Sequence, residues 1–238
     1  AGLYSFHDVH SLIGSDEPDG VSRDEEYKLR VAAAISPYDE ERIQELVEAG
    51  VDVLVVDTAH GHTKGVIETV AWLKNQGYPV DVVGGNIASA EAANALLRAG
   101  ADAVKVGIGP GSICTTRVVC GVGVPQLTAI YEVQKGVGDE VPIIADGGIK
   151  FSGDVPKAVA VGASSVMMGS VLAGTRESPG EKILHQGRTY VVYRGMGSVE
   201  AMRVGKGSRE RYSHGDVDHV NELVPQGIEG MVELRGSV

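Results

Sequence analysis

Apolar positions along this chain fall into short Val-rich runs separated by amphipathic stretches, and three junctions between them repeat one pattern. Ala49-Gly50-Val51-Asp52-Val53-Leu54-Val55-Val56, Ala99-Gly100-Ala101-Asp102-Ala103-Val104-Lys105-Val106 and Val161-Gly162-Ala163-Ser164-Ser165-Val166-Met167-Met168 each pass from a helix end through Gly into an apolar run. Glycine there suits a left-handed helix cap, and a continuous apolar run suits a strand buried on both faces. The spacing predicts strands near 29–35, 52–57, 80–83, 103–107, 142–145 and 165–168. It predicts helices near 39–49, 63–76, 89–99, 125–136 and 152–161.

Such alternation permits an open doubly wound sheet or a closed barrel. Asp57, Asn86, Gly109, Asp146 and Gly169 each follow the expected end of a different strand, which gathers the polar chemistry on one rim. The expected fold is therefore α/β, a TIM (β/α)8 barrel with about six of its eight strands present. Residues 1–28 are irregular and acidic and read as a linker, and residues 29–174 as the barrel portion. From 175 to 238 the periodicity lapses into a segment rich in Gly, Arg and Tyr, read as a mobile flap with a C-terminal active-site segment.

At 238 residues and 43% hydrophobic content, the chain suits one large domain. Its net charge of -11 gives no bulk footprint for nucleic acid or an anionic membrane, though a pocket for a small phosphate is compatible with it. No window approaches the roughly 20 apolar residues of a membrane span. Two cysteines make no disulfide framework and fit a reducing compartment, so a cytoplasmic location is expected.

Gly107-Ile108-Gly109-Pro110-Gly111-Ser112-Ile113-Cys114-Thr115-Thr116-Arg117 is the sharpest local signal, a glycine-rich loop after a strand that ends in a cysteine. Glycines allow close backbone approach to a ligand, and the polar flank favours a thiolate, so Cys114 reads as a nucleophile. Cys120 has no such setting and reads as structural. Asp146-Gly147-Gly148 and Met168-Gly169-Ser170 are glycine-rich turns after the last two strands, where this barrel class cradles phosphate. Ser112 adds a hydroxyl, and Asp146, an acceptor when ionised, suits a ribose diol. Tyr193-Arg194-Gly195-Met196-Gly197-Ser198, Arg211-Tyr212 and Gln226-Gly227-Ile228-Glu229-Gly230 follow in order.

Taken in that order, these motifs resemble bacterial inosine monophosphate dehydrogenase, over about residues 29–236. The resemblance implies NAD-dependent oxidation of inosine monophosphate to xanthosine monophosphate. Cys114 would attack purine C2, and Arg211 and Tyr212 would form a flap dyad that activates water, with Thr116 holding that water. Ser112, Gly148, Gly169, Ser170 and Tyr193 would bind the phosphate, Asp146 the ribose, and Met196, Gly197 and Gln226 the base. Asp57, Thr58 and Asn86 would face NAD, and backbone carbonyls of Gly109, Gly111 and Cys114 would bind potassium. A homotetramer is implied too. An arginine is almost always protonated, so its role in activating water rests on the resemblance alone.

The resemblance also implies segments this chain lacks: the first two barrel strands with a strand-end serine loop, a C-terminal stretch, and the CBS modules, whose tail residues 2–9 resemble. A fragment is therefore expected. Guanosine monophosphate reductase shares the cysteine loop and phosphate turns, but it has no hydrolysis step for Arg211-Tyr212 and Gln226 to serve. A flavin mononucleotide barrel and a catalytically silent nucleotide-binding fragment are further alternatives. His60-Gly61-His62 suggests a metal hydrolase, yet no later strand end supplies the remaining ligands. Lys105, if desolvated, suits a Schiff base, although it matches a basic position on the cofactor side of the family.

Overall fold

The computed structural model describes residues 23–24, 28–212 and 223–237. The segment resembling a CBS tail, and most of the acidic linker, lie outside them. Among the described residues, six parallel strands form one sheet: β1 (Ala32–Ile35), β2 (Val53–Asp57), β3 (Asp81–Ile87), β4 (Ala103–Val106), β5 (Ile143–Asp146) and β6 (Ser165–Met167). Their spatial order is their chain order, β1-β2-β3-β4-β5-β6. A doubly wound sheet would reverse direction at a switch point, so this sheet is part of a singly wound barrel.

Helices α1 (Glu40–Glu48), α2 (Lys64–Gln76), α3 (Ala90–Arg98), α4 (Thr116–Val119), α5 (Gln126–Val137), α6 (Asp154–Ala160) and α7 (Ser170–Ala173) connect and follow the strands. The three junction glycines behave as their positions demand: Gly50, Gly100 and Gly162 have φ of 81°, 95° and 115°. Ser89 caps α3 by accepting a hydrogen bond from the N–H of Ala92 at 3.3 Å.

Side chains alternate across each strand. Leu54 and Val56 are fully buried in one cluster with Val66, Val70 and Leu73 of α2. Each such side chain contributes about 1.5–3 kcal/mol by leaving water. Val53, Val55 and Asp57 face the other way, into the barrel interior. Lys105 belongs to that inner face, flanked on β4 by Val104 and Val106, which join the outer core.

β3 runs longer than its sequence suggests. Val82 and Val83 carry its apolar signal, but Gly84, Gly85 and Asn86 extend it to Ile87. Glycine packs poorly in an isolated strand, so its signal is weak there, and the neighbours supply the reason for it. A methyl group on Gly84 would meet Leu96 at 2.8 Å, and one on Gly85 would meet Lys105 Cβ at 2.8 Å. Asn86 consequently lies within the strand instead of following it.

The stretch after residue 175, where the sequence periodicity lapses, holds regular structure of its own. It contains a three-stranded antiparallel sheet, β7 (Lys182–His185), β8 (Arg188–Arg194) and β9 (Glu229–Glu233), in the order β7-β8-β9. Two short helices, α8 (Val199–Val204) and α9 (Lys206–Arg211), precede the last strand. A two-residue turn at Gln186-Gly187, with φ of 49° and 78°, joins β7 to β8, a hairpin geometry with two left-handed residues. β9 pairs with β8 from far along the chain, a contact that local periodicity does not register. Among the described residues, no helix is long and apolar enough to cross a membrane.

Candidate functional site

The loop after β4 carries Cys114 and is laced to two distant segments. Cys114 N–H donates to the Gly111 carbonyl at 3.1 Å, Thr115 N–H to the Gln226 carbonyl at 2.9 Å, and Ile228 N–H to the Ile113 carbonyl at 3.0 Å. Gln226 N–H in turn donates to the Gly197 carbonyl at 2.9 Å, and Gly195 N–H to the Ile228 carbonyl at 3.0 Å. The Met196-Gly197 turn and Gln226 are thus held beside the cysteine. Side chains continue the lacing. Cys114 Sγ lies 3.2 Å from Thr116 Oγ1, whose hydroxyl donates to Gln226 Oε1 at 2.9 Å.

A second cluster forms on the side of β6. The Tyr193 phenol lies beside Ser112, and burial pushes it up, with Asp146 adding to the effect. The Tyr193 hydroxyl also lies against Gly169, where a methyl group would collide with it. Gly148 lies against Pro110 of the cysteine loop, 3.4 Å from where its Cβ would be. Ser170 opens α7, the four-residue helix that follows.

Between these two clusters and β2 lies a buried ionic network. Lys105 Nζ donates to Asp146 Oδ2 at 2.6 Å and, by a short bond, to Asn86 Oδ1. Asn86 Nδ2 donates to the same Asp146 oxygen at 2.8 Å and to the Gly107 carbonyl at 2.9 Å. Lys105 Nζ is also 2.9 Å from Asp57 Oδ1, close enough for an ion pair but off hydrogen-bond alignment. Asp57 Oδ2 takes the Arg211 guanidinium. Thr58 is buried, its hydroxyl donating to the Gly85 carbonyl at 3.1 Å.

Burial opposes ionisation of Asp57, yet Lys105 and Arg211 outweigh it and hold the carboxyl below its ordinary value. Burial likewise works against the Arg211 charge, and Asp57 more than offsets it, so the guanidinium is held firmly protonated. Arg211 also lies 6.0 Å from the Tyr212 ring centroid. That ring packs on Gly197, where a methyl group would meet Cζ at 2.8 Å, within electrostatic reach of Cys114. Burial pushes the Tyr212 phenol up while Arg211 pulls it down.

The structure therefore brings Thr116, Gln226 and Tyr212 beside Cys114, with Gly197 packed against Tyr212 and Gln226 and Met196 exposed in the same turn. Ser112, Gly148, Gly169 and Tyr193 lie to one side, and Asp57, Asn86 and Arg211 to the other. Sequence reading missed the organising part of Lys105, although a lone lysine in Ala103-Val104-Lys105-Val106 was its signal. It also missed Gln126, which donates to the Val106 carbonyl at 2.8 Å and to the Asp146 carbonyl at 3.2 Å. Arg117 spans the base of the cysteine loop, donating to the carbonyls of Val124 at 2.6 Å and Ile108 at 3.4 Å. His60 and His62 are exposed, and among the described residues no cluster of His, Cys, Asp or Glu suits a metal ion. Cys120 is exposed at the end of α4. Lys105, bound by two carboxylates, is not the unpaired amine that a Schiff base requires.

The family model described as IMP dehydrogenase / GMP reductase domain matches residues 16–238. The inosine-5'-monophosphate dehydrogenase of Aquifex aeolicus (strain VF5) is 57% identical over 240 residues, covering 100% of this chain and 48% of its own length. That of Rhodopirellula baltica is 57% identical over 216 residues, covering 90% of this chain and 40% of its own. That of Escherichia coli (strain K12) is 54% identical over 217 residues, covering 90% and 44%. The chain spans about half the length of the curated relatives it matches.

Proposed function

The chain belongs to the IMP dehydrogenase / GMP reductase domain family, and we propose that its protein oxidises inosine monophosphate to xanthosine monophosphate through a covalent adduct on Cys114. The observation that carries this reading is the chain from Cys114 Sγ through Thr116 to Gln226, 110 residues further on, with the Tyr212 phenol, beside Arg211, within electrostatic reach of the sulfur. The Cys114 thiolate adds to purine C2, and the C2 hydrogen departs as hydride. NAD, when bound, supplies the acceptor for that hydride. Water then displaces the sulfur to give the 2-oxo product and restore the thiol.

Ser112, Gly148, Gly169, Ser170 and Tyr193 hold the phosphate in this reading, and Asp146 holds the ribose. Met196, Gly197 and Gln226 face the base. Asp57, Thr58 and Asn86 are the residues on the NAD side, and the buried carboxylate of Asp57 fits a ribose hydroxyl when Arg211 is elsewhere. Arg211 and Tyr212 dock on Asp57 for the hydrolytic half. There the arginine, held as a cation, orients water and stabilises developing negative charge. Proton acceptance by its guanidinium requires loosening from Asp57. The docked dyad favours the dehydrogenase over guanosine monophosphate reductase, which has no hydrolysis step for it to serve.

Carbonyls of Gly109, Gly111 and Cys114 are hard oxygen donors suited to potassium. Gly111 retains a lone pair beyond its bond from Cys114 N–H. The Arg117 guanidinium braces the same loop, so a bound potassium ion shares that loop with a fixed positive charge. We read the protein as a cytoplasmic homotetramer.

Quenching the complete protein with inosine monophosphate and NAD tests the central step. Peptide mass spectrometry is expected to find a purine nucleotide on Cys114, and a mark on Cys120 alone, or none, would overturn the mechanism. Gly169→Ala is expected to push Tyr193 off Ser112 at a cost of about 1–3 kcal/mol. That raises the inosine monophosphate dissociation constant roughly tenfold, measurable by equilibrium dialysis.

A further inference from the structure

We propose that Lys105 is a positioning residue whose single ammonium is divided between Asp146 and Asp57, so that docking of Arg211 on Asp57 tightens the hold on the nucleotide ribose. The inference rests on reading Asp146 as the ribose contact.

Three strands set the arrangement. Asp57 ends β2, Lys105 lies on β4 and Asp146 ends β5, while Gly85 on β3 leaves the space through which the Lys105 stem passes. Lys105 is 3% exposed, so no solvent shares its charge. An ammonium has three protons to give. In the docked state its aligned bonds go to Asn86 and Asp146, and its contact with Asp57 is one of charge only. Asp57 is balanced elsewhere too, by the Arg211 guanidinium against its second oxygen, likewise a contact of charge.

Undocking Arg211 changes this balance. Asp57 then remains a buried carboxylate with Lys105 as its cation among the described residues, and an unpaired buried charge is costly. The ammonium is drawn toward Asp57 and away from Asp146. Both Lys105 and Asn86 bond Asp146 at Oδ2, which turns Oδ1 toward a diol. Losing one of those two anchors frees the carboxylate to rotate. Ribose affinity falls when the arginine leaves and rises when it docks, and linkage makes the effect reciprocal.

The test uses the complete protein, inosine monophosphate alone and equilibrium dialysis. Arg211→Ala is expected to raise the dissociation constant about fivefold, the lower end of typical site-to-site coupling. Adding Asp57→Asn removes the competitor for Lys105 and is expected to restore affinity to within about twofold of the unchanged protein. A dyad that merely covers the nucleotide would show the loss in both variants, and that absence of rescue overturns the inference. No loss in Arg211→Ala overturns it equally. Lys105→Met supplies a further check, since Arg211→Ala should be silent on that background; if Lys105→Met does not fold, the first two variants decide the question. An unchanged protein that fails to bind inosine monophosphate defeats the functional reading and the inference together, whereas binding without rescue defeats the inference alone.

Discussion

Cys114→Ala is expected to abolish NADH formation by the complete protein, lowering turnover by more than about 10⁴-fold, while inosine monophosphate still binds. The loss is expected to be large because the proposed adduct is the reaction path: without sulfur at C2, no tetrahedral centre forms from which hydride can leave. Binding is expected to survive because the proposed mechanism assigns phosphate and ribose to other groups. Ser112 and Tyr193 lie side by side, and Asp146 is anchored by Lys105 and Asn86. Backbone bonds from Thr115 and Ile228 keep the loop in place whatever the side chain at 114. Steady NADH production within tenfold of the unchanged protein would show that chemistry runs through another group.

Arg211→Ala separates the two halves of the reaction. A rapid burst of about one NADH per site is expected at saturating nucleotide, followed by steady turnover slower by about 10²–10⁴-fold, the usual span for losing a positioned group that activates water. The burst survives because Arg211 contacts Asp57 and Tyr212, on the flank away from the Ser112–Tyr193 cluster. The steady rate falls because the charge and the Tyr212 contact beside Cys114 go together. Stopped-flow absorbance distinguishes the phases, and a slow linear trace without a burst would place Arg211 in the hydride step.

Much of this architecture was legible because its causes are local. Gly50, Gly100 and Gly162 sit at helix ends for a reason written in φ, and Leu54, Val56, Val104 and Val106 behind the first two are buried, whereas Met167 behind the third is half exposed, so that run is not buried on both faces. The cysteine loop announced itself through the glycines preceding Cys114. By contrast, Gly84 and Gly85 made β3 look finished early, because their fitness depends on Leu96 and Lys105 arriving from other elements. The β7–β8 hairpin was within reach, since Lys182–His185 and Arg188–Arg194 flank a Gln-Gly turn, but β9 enters from beyond α9. Thr58 and Asn86, read as rim groups, have their polar atoms committed to Gly85, Gly107, Asp146 and Lys105.

By itself the amino-acid sequence determined the αβ units, the polar residues at the strand ends, the glycine-rich cysteine loop and the family to which the chain belongs, since each follows from residues near in order. Only the tertiary structure decided that one buried lysine serves two carboxylates, that Arg211 occupies Asp57, and that Gln226 meets Thr116 across 110 positions. Those facts depend on which charges share a low-dielectric interior, and burial and distance are set by packing of the whole chain, not by the spacing of residues along it.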